Sequence, residues 1–202
     1  CGDADGAVTG NTRRFGASLD KIKQVVDVRD GEIMFGLNMV VHKGKTIFVG
    51  DTSVHEYPTS EQMAEMAIST ARVVRLFGFD PKVAFVSHST FGQPLTSRTK
   101  HIRNAVDILK EKKVDFEFDG DMQPDVALNP EYKDLYPFSK IVGKANILIM
   151  PGQHSAAISY KMMKTLGDTK VIGPLLIGLG LPIEIAPLRS STSELINLAS
   201  IA

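Results

Sequence analysis

Small hydroxyl residues in one loop are the side chains best placed for chemistry in this sequence. Ser87, Ser89 and Thr90, followed by Gly92, lie between a predicted strand and a predicted helix. Hydroxyl and backbone N–H groups at the start of a helix can bind a phosphate, and Arg98 in the first turn of that helix adds positive charge. Because no Walker or Rossmann glycine pattern is present, the residues alone favour a plainer interpretation, a loop that only caps its helix.

A second candidate for chemistry is an acidic group. Asp119, Asp121 and Asp125 lie close together in the sequence, and carboxylate oxygens are ligands for hard cations. The glutamate that ends an EF-hand loop is missing, so that kind of calcium site is excluded. We expect these carboxylates to cap backbone groups or to pair with lysines. No zinc site is predicted either, because no pair among three scattered histidines has metal-binding spacing: His88, His101 and His154.

The remaining residues provide no catalytic set. The chain has one cysteine, Cys1 at its first position, and no Gly-x-Ser-x-Gly sequence. A single cysteine precludes an intrachain disulfide, which fits a reducing compartment, and we expect a cytoplasmic protein. The residues therefore indicate an anion-binding cleft with no assigned catalytic residue and no metal.

Composition excludes several classes of protein. The 202 residues include 23 Lys and Arg and 23 Asp and Glu, so the formal net charge is +0. Proteins that hold nucleic acid by its phosphates usually carry a basic excess, so no nucleic-acid partner is expected. The apolar runs at 145–150 and 183–185 are too short to span a bilayer, and no membrane partner is expected. A hydrophobic fraction of 43% indicates a folded domain.

Strand and helix patterns alternate along the chain, and turn residues separate them. A hairpin joins strands 33–41 and 46–49, and capping boxes at Thr59–Gln62 and Ser191–Glu194 begin two helices. Further strands are predicted at 82–86, 114–118, 145–150, 171–172 and 182–186, and further helices at 18–26, 97–112 and 155–166. This order predicts one α/β domain: a mainly parallel sheet with helices on both faces and an antiparallel hairpin. Ligands bind such sheets at the carboxyl ends of the strands.

Long blocks of the sequence resemble a known family. The blocks at 2–6, 48–52, 87–92, 119–128 and 173–174 resemble those of the phosphate acetyl/butyryltransferase superfamily. More narrowly, three further blocks resemble the C-terminal phosphotransacetylase-like domain of large bacterial NADP-dependent malic enzymes: 83–92, 136–159 and 171–179. The resemblance runs through nearly the whole chain and implies the fold shared by phosphate acetyltransferase and isocitrate dehydrogenase.

The resemblance also implies a division of labour. In that malic-enzyme family a separate N-terminal part oxidatively decarboxylates malate with NADP and a divalent metal. The phosphotransacetylase-like part binds acetyl-CoA as an effector and regulates the enzyme through oligomeric contacts. Residues 1–202 are then expected to be this second part, truncated at its N-terminus because the chain starts with Cys1, with no cofactor of its own. A homodimer is expected, within a higher oligomer of the full-length protein, and we expect its surface to include six apolar side chains: Met34, Phe35, Met39, Phe91, Met162 and Met163.

The chain departs from the family at the residues that transfer the acyl group. Transacetylases carry a Ser-Arg-Gly block with an aspartate six residues after the arginine. Arg189 matches the arginine, whereas Leu188 replaces the serine, Ser190 the glycine and Leu195 the aspartate. A leucine cannot accept a proton from the CoA thiol. Glu194 is one residue out of register, which on a helix turns it about 100° away.

Three functions remain open on this reading. The first is a regulatory acetyl-CoA-binding domain without transacetylase activity, and the alternative is an active phosphate acetyltransferase. The third is a dimerisation domain that binds no ligand. For the first, the predicted ligand-binding residues are Ser87, Ser89, Thr90, Gly92, Arg98, Arg189 and Ser190.

Overall fold

The computed structural model describes residues 4–202, so Cys1 and the start of the 2–6 block lie outside the described residues. The strands are β1 Ala7–Gly10, β2 Phe35–His42, β3 Lys45–Gly50, β4 Lys82–Val86, β5 Glu117–Met122, β6 Ile147–Ile149, β7 Thr169–Ile177 and β8 Ile183–Ala186. The helices are α1 Phe15–Ile22, α2 Ser60–Leu76, α3 Ser97–Lys112, α4 Pro124–Leu128, α5 Gln153–Leu166 and α6 Thr192–Ile201, with a 3-10 helix at Pro130–Leu135.

Six strands form the main sheet, in the order β5-β4-β6-β3-β2-β7. The pairs β5–β4, β4–β6 and β6–β3 are parallel, and β2 runs antiparallel to both β3 and β7. The predicted hairpin is therefore β2–β3, and it lies inside the sheet. Strands β1 and β8 form a second, parallel pair. The expected α/β fold with a mainly parallel sheet is confirmed, whereas the second sheet has no counterpart in the prediction.

Capping residues begin the helices where the sequence predicts them. The Thr59 side chain accepts a hydrogen bond from the Gln62 N–H, and Gln62 reciprocates, at the start of α2. Ser191 and Glu194 form the same box at the start of α6. These boxes satisfy backbone N–H groups that have no partner within the helix. Helix α3 has its predicted bounds.

Two strands extend further than their apolar patterns indicate. The prediction ends β5 at residue 118, but the ladder with β4 continues through Gly120 and Met122 because the intervening aspartates are hydrogen-bonded inside the protein. Strand β7 was predicted at 171–172 and covers nine residues. It passes through Pro174 because its pairing with β2 shifts register there, and a bulge tolerates a residue without an N–H.

The core consists of layers on the two faces of the main sheet. Adjacent residues of β3 divide between them: Phe48 packs with α2 and α3, and Val49 packs with α4 and α5. Strand β4 divides in the same way at Phe85 and Ala84. This alternation is the period of two that strands impose, and it places helices on both faces, as predicted.

The surface predicted for self-association is wrong at three of its six residues. Met34, Phe35 and Met39 are buried core side chains at 7%, 0% and 8% exposure, so they cannot contact a second copy. Phe91 and Met163 are half-buried, and Met162 is exposed. The sequence pattern could not separate these roles because a buried strand and a binding surface are both apolar.

Among the described residues, no helix has the length and apolar character needed to cross a membrane.

A buried carboxyl group lies on β8. Glu184 is 5% exposed, and its Oε2 accepts a hydrogen bond of 2.9 Å from the Leu176 N–H of β7. Burial raises the pKa of Glu184 to about 8, and the Leu176 hydrogen bond offsets only part of this rise. Glu184 therefore keeps its proton at neutral pH.

Glu184 should make stability depend on pH. Between the ordinary pKa of 4.5 and about 8, the folded chain holds a proton that the unfolded chain has lost. The free energy of unfolding should therefore fall as pH rises through this window, by at most about 1.4 kcal/mol per pH unit from this group. Glu184→Gln should flatten that slope in urea unfolding at pH 5, 6, 7 and 8. Glu111→Gln, exposed on α3, is the matched control. An unchanged slope in Glu184→Gln contradicts the assignment.

Candidate functional site

The hydroxyl loop after β4 is organised around one buried carboxylate. Asp121, on β5, is fully buried, with 0% of its surface exposed. Its Oδ2 accepts a hydrogen bond from the Ser89 hydroxyl, and its Oδ1 accepts one of 3.0 Å from the Gly92 N–H. The Ser87 and Ser89 hydroxyl oxygens lie 3.1 Å apart. These predicted ligand groups are therefore brought together, but they point inward to a carboxylate.

Further bonds tie the same loop to the start of α4. The Thr90 hydroxyl oxygen accepts a hydrogen bond of 3.3 Å from the Gln123 N–H, and the Gln123 side chain donates one of 2.8 Å to the His88 carbonyl. Ser87, Ser89 and Thr90 are 5%, 0% and 6% exposed. A buried carboxylate repels a nearby phosphate, so this loop is poorly suited to bind an anion. Its hydrogen bonds fix the start of α3 instead.

The other aspartates of the acidic group also serve the backbone. Asp119 accepts hydrogen bonds from the N–H groups of Gly120 and Lys140, at 3.0 and 2.7 Å. Asp125 is exposed in the first turn of α4. Within the part of the chain that the structure describes, no three His, Cys, Asp or Glu side chains are arranged to hold a metal ion. The capping interpretation of these aspartates thus agrees with the structure.

A second buried carboxylate organises the loop after β3. Asp51 is 1% exposed, and its Oδ1 accepts hydrogen bonds of 2.8 Å from the N–H groups of Gly36 and Ser53. Its Oδ2 accepts from the backbone N–H of His55 at 2.6 Å and lies 2.8 Å from the Nδ1 of the same residue. Gly36 has no room for a side chain, since a Cβ there would lie 2.7 Å from the Ser53 Cβ. These contacts fix the loop immediately before Glu56 and Tyr57.

Arg98 lies apart from the buried hydroxyl groups, on the wall of an open cavity. This Arg98 cavity has a volume of about 510 Å³ and lies where the connections after β3, β4 and β6 meet, at the carboxyl edge of the sheet. It is lined by residues 56–59 after β3, by Ser97, Arg98, His101 and Ile102 of α3, and by Pro151, Gly152, His154 and Ser155 after β6.

The walls of the Arg98 cavity combine positive charge with flat rings. The first residue before α5, Gly152, offers no side-chain cap, so N–H groups of that helix start beside the cavity. The rings of Tyr57 and His154 stack with centroids 6.4 Å apart, and the His154 Nε2 lies 3.3 Å from a Glu56 carboxylate oxygen. Tyr57 is 69% exposed. The arrangement suits an anion that carries a planar ring.

Arg189 and Ser190 lie elsewhere. They follow β8, where the Arg189 N–H donates a 3.1 Å hydrogen bond to the Asn11 carbonyl and the Ser190 hydroxyl donates one of 2.8 Å to the Pro187 carbonyl. Strand β8 contacts β7, and three strands separate β7 from β4 in the main sheet. At a spacing of about 4.8 Å, β4 and β7 are about 19 Å apart. Arg98 lines the Arg98 cavity and Arg189 does not, so the structure does not bring these two predicted ligand residues together in one cavity.

Glu194, next to the position expected for the family's aspartate, already accepts hydrogen bonds within the protein. Glu194 Oε1 accepts a hydrogen bond of 2.8 Å from the Lys164 ammonium group, and Oε2 accepts one of 2.8 Å from the Ser191 N–H. The lysine hydrogen bond, followed by the Ser191 N–H, lowers the pKa of Glu194 to about 2. Leu195 packs against the core, and Leu188 is 53% exposed. Glu194 is thus a helix cap and an ion-pair partner, and a weak base.

Sequence reasoning missed the Lys164–Glu194 pair and the Tyr57–His154 stack. Lys164 and Glu194 are 30 positions apart, and Tyr57 and His154 are almost a hundred apart, so no local spacing links them. The one available signal was the place of each residue in the chain. Tyr57 follows β3, and His154 lies in the first turn of α5 after β6, so both lie beyond the carboxyl ends of parallel strands, where ligands are expected.

Comparisons with known proteins extend over the whole chain. A family model described as "Phosphate acetyl/butaryl transferase" matches residues 1–202. The chain is 45% identical over 201 residues to an "NADP-dependent malic enzyme" of Rhizobium meliloti, covering 100% of this chain and 26% of that protein. It is 30% identical over 202 residues to the "Phosphate acetyltransferase" of Bacillus subtilis, covering 99% and 62%. A solved phosphotransacetylase from Streptococcus pyogenes superposes with a TM-score of 0.92 at 30% identity, covering 98% of this chain and 61% of that one. The chain thus spans about a quarter of the malic enzyme's length.

Loss of the Asp121 carboxylate should destabilise the whole loop. Asp121→Ala leaves the Ser89 hydroxyl and the Gly92 N–H without their acceptor, and each such buried group costs about 1–3 kcal/mol. We expect the free energy of unfolding to fall by at least about 2 kcal/mol in urea denaturation. Asp125→Ala, an exposed member of the same acidic group, should change it by less than about 0.5 kcal/mol. Equal effects of the two substitutions would disprove the central role of Asp121.

Proposed function

This chain belongs to the phosphate acetyl/butaryl transferase family, and from that premise we propose that it is the regulatory, acetyl-CoA-binding domain of an NADP-dependent malic enzyme. The 45% identity to a protein of that name supports the assignment. In this proposal, other parts of a longer protein bind NADP and a divalent metal and decarboxylate malate. The present residues bind the effector and carry no transacetylase activity. The protein acts in the cytoplasm.

The state of Glu194 is the observation that carries the proposal. Transfer of an acetyl group from acetyl phosphate to CoA needs a base that removes the thiol proton, and Leu195 stands at the position expected for the family's aspartate. The neighbouring carboxylate, Glu194, is held by Lys164 and Ser191 with its pKa lowered to about 2. A carboxylate that binds protons this weakly, and whose oxygens already accept hydrogen bonds, is poorly suited to remove a thiol proton.

The Arg98 cavity is the proposed site of acetyl-CoA. CoA presents phosphate groups and an adenine ring, which match the Arg98 guanidinium, the uncapped start of α5 and the exposed ring of Tyr57. In this arrangement Ser87, Ser89, Thr90 and Gly92 act indirectly, because their bonds to β5 and α4 fix the start of α3. Arg189 and Ser190 do not line this cavity.

Regulation requires a difference between two states. Acetyl-CoA changes the activity of the proposed malic enzyme only if it binds one subunit arrangement better than another. We propose a homodimer as the unit that provides these arrangements, within a higher oligomer of the longer protein. The buried residues Met34, Phe35 and Met39 take no part in its contacts, whereas Met162 is free to do so.

An active phosphate acetyltransferase is the second candidate. Its support is the 30% identity to the Bacillus subtilis enzyme and the retention of Arg189. The Arg189 backbone has φ of 59°, in the left-handed region that non-glycine residues rarely occupy. A cavity of about 160 Å³ lies nearby and is lined by Lys161, Lys164 and Glu194. In this alternative, charge and positioning alone would promote transfer.

Arg98 should be measurable as a ligand of acetyl-CoA. Arg98→Ala should weaken binding by about 1–3 kcal/mol, or roughly 5- to 150-fold in Kd, because one charge-assisted hydrogen bond is lost. Calorimetric titration of the 202-residue chain provides the measurement. Lys100→Ala is the matched control, since Lys100 lies on the same helix about 200° around its axis and outside the cavity lining. Equal Kd values for Arg98→Ala and the unmodified chain would contradict this placement.

The transferase alternative is decided by a separate assay. We expect no acetyl-CoA to form when the chain is incubated with acetyl phosphate and CoA. Turnover that disappears in Arg189→Ala would reject the regulatory assignment in favour of the second candidate. The titration and the assay fail independently, since binding at Arg98 does not require chemistry at Arg189.

A further inference from the structure

A large cleft lies at the end of α6, apart from the small cavity lined by Lys161 and Lys164. This α2–β7 cleft has a volume of about 730 Å³ and lies between α2, the end of β7, the start of β8 and the end of α6. Its walls are mainly apolar, and Leu76, Leu181 and Phe77 present 87%, 56% and 36% of their surfaces. A volume of this size accommodates a drug-sized molecule.

Two buried polar side chains line the cleft, and one of them has no hydrogen-bond partner. Ser69, in the middle of α2, is 3% exposed, and its hydroxyl oxygen has no hydrogen-bond partner among the described residues. On the β8 side, the Glu184 side chain accepts a single hydrogen bond, from the Leu176 N–H to Oε2. A buried hydroxyl left unpaired is costly and uncommon in folded proteins. Such groups at an open cleft point to a missing partner.

The ionic side chains that line the cleft are mostly paired or exposed. The Arg72 guanidinium lies 2.6 Å from a carboxylate oxygen of Glu32, and Arg29 is exposed beside them. The interior offers Ser69 as a hydroxyl and Glu184 as a carboxyl that is protonated at neutral pH. A neutral hydrogen-bonding group is the natural complement of such an interior, because an ionic group would be desolvated against apolar walls.

We propose that the α2–β7 cleft binds an uncharged, apolar molecule that carries a secondary amide. The amide carbonyl accepts a hydrogen bond from the Glu184 carboxyl, and the alkyl part packs against Leu76 and Leu181. The Ser69 hydroxyl, which rotation about the Cα–Cβ bond would turn toward the cleft, accepts a hydrogen bond from the amide N–H. This site is separate from the Arg98 cavity, and the proposal does not depend on acetyl-CoA binding.

N-hexylacetamide is a suitable probe because it combines an alkyl chain with one secondary amide. Titrated into the ¹⁵N-labelled 202-residue chain, it should shift the backbone amide signals of Ser69 and Leu176 in NMR spectra in a saturable manner. Ser69→Ala and Glu184→Leu should each weaken its binding at least about fivefold, because each removes one hydrogen-bonding group from the cleft. Arg98→Ala should leave the affinity unchanged, and Ser69→Ala should leave acetyl-CoA binding unchanged.

Three results with the 202-residue chain would overturn the proposal, and a fourth concerns the full-length protein. The first is the absence of saturable shifts at millimolar probe, and the second is saturable shifts that map outside the cleft. The third is binding that survives both Ser69→Ala and Glu184→Leu, which would indicate apolar partitioning without recognition of the amide. Ser69→Ala decides the question if Glu184→Leu does not fold, because a buried serine without a partner is replaced by alanine at little cost. The Rhizobium meliloti malic enzyme is about four times longer than this chain, so the titration is repeated on a full-length protein. Loss of probe binding in the full-length protein would assign the cleft to another segment of that protein.

Discussion

Two buried carboxylates hold the carboxyl edge of the sheet together. Asp51 and Asp121 are almost inaccessible to water, so each must receive hydrogen bonds in place of its lost hydration. The protein supplies them by folding the adjacent loops around the carboxylates: 51–55 after β3 and 89–92 after β4. These loops precede α2 and α3, so the start of each helix is fixed by an acidic group that carries no ligand itself.

This arrangement separates the roles that the hydroxyl loop was expected to combine. Ser87, Ser89 and Thr90 are consumed by bonds within the protein, and the cationic and aromatic groups lie outside that network, around Arg98. The same separation occurs at the far side of the sheet, where Glu194 is taken by Lys164 and by its own helix cap. Groups that look reactive in the sequence form hydrogen bonds within the protein, and the open cavities are lined by their neighbours.

The clefts of the molecule therefore differ in chemistry. The Arg98 cavity is cationic and flanked by flat rings, which suits a phosphorylated nucleotide-like ligand. The α2–β7 cleft is apolar and has neutral hydrogen-bonding groups at Ser69 and Glu184. Because they lie against different elements, one protein could respond to two kinds of molecule, each through its own contacts. Both depend on helices whose positions the strand-end loops determine.

The sequence by itself determined the order and type of the main elements. Hydrophobic periodicity and capping boxes defined α2, α3, α6 and the β2–β3 hairpin, because these signals arise from residues close together in the chain. The family resemblance was also visible in the sequence, and from it came the expectation that Leu188 and Leu195 replace transferase residues. Local patterns failed at β5 and β7, where buried aspartates and a bulge at Pro174 continue a strand that polar or cyclic residues seemed to end.

Only the tertiary structure decided which side chains meet. The inward turn of Ser89 onto Asp121, the pairing of Lys164 with Glu194 and the stacking of Tyr57 on His154 join residues 30 or more positions apart. The placement of Arg98 and Arg189 in different parts of the fold likewise depends on strand order, because β6, β3 and β2 lie between β4 and β7 in the sheet. Burial and long-range hydrogen bonds decide these roles, because a serine or a methionine can be buried at one position and exposed at another. Met39 is buried in the core and Met162 is exposed at the surface, a difference that the residue type alone does not predict.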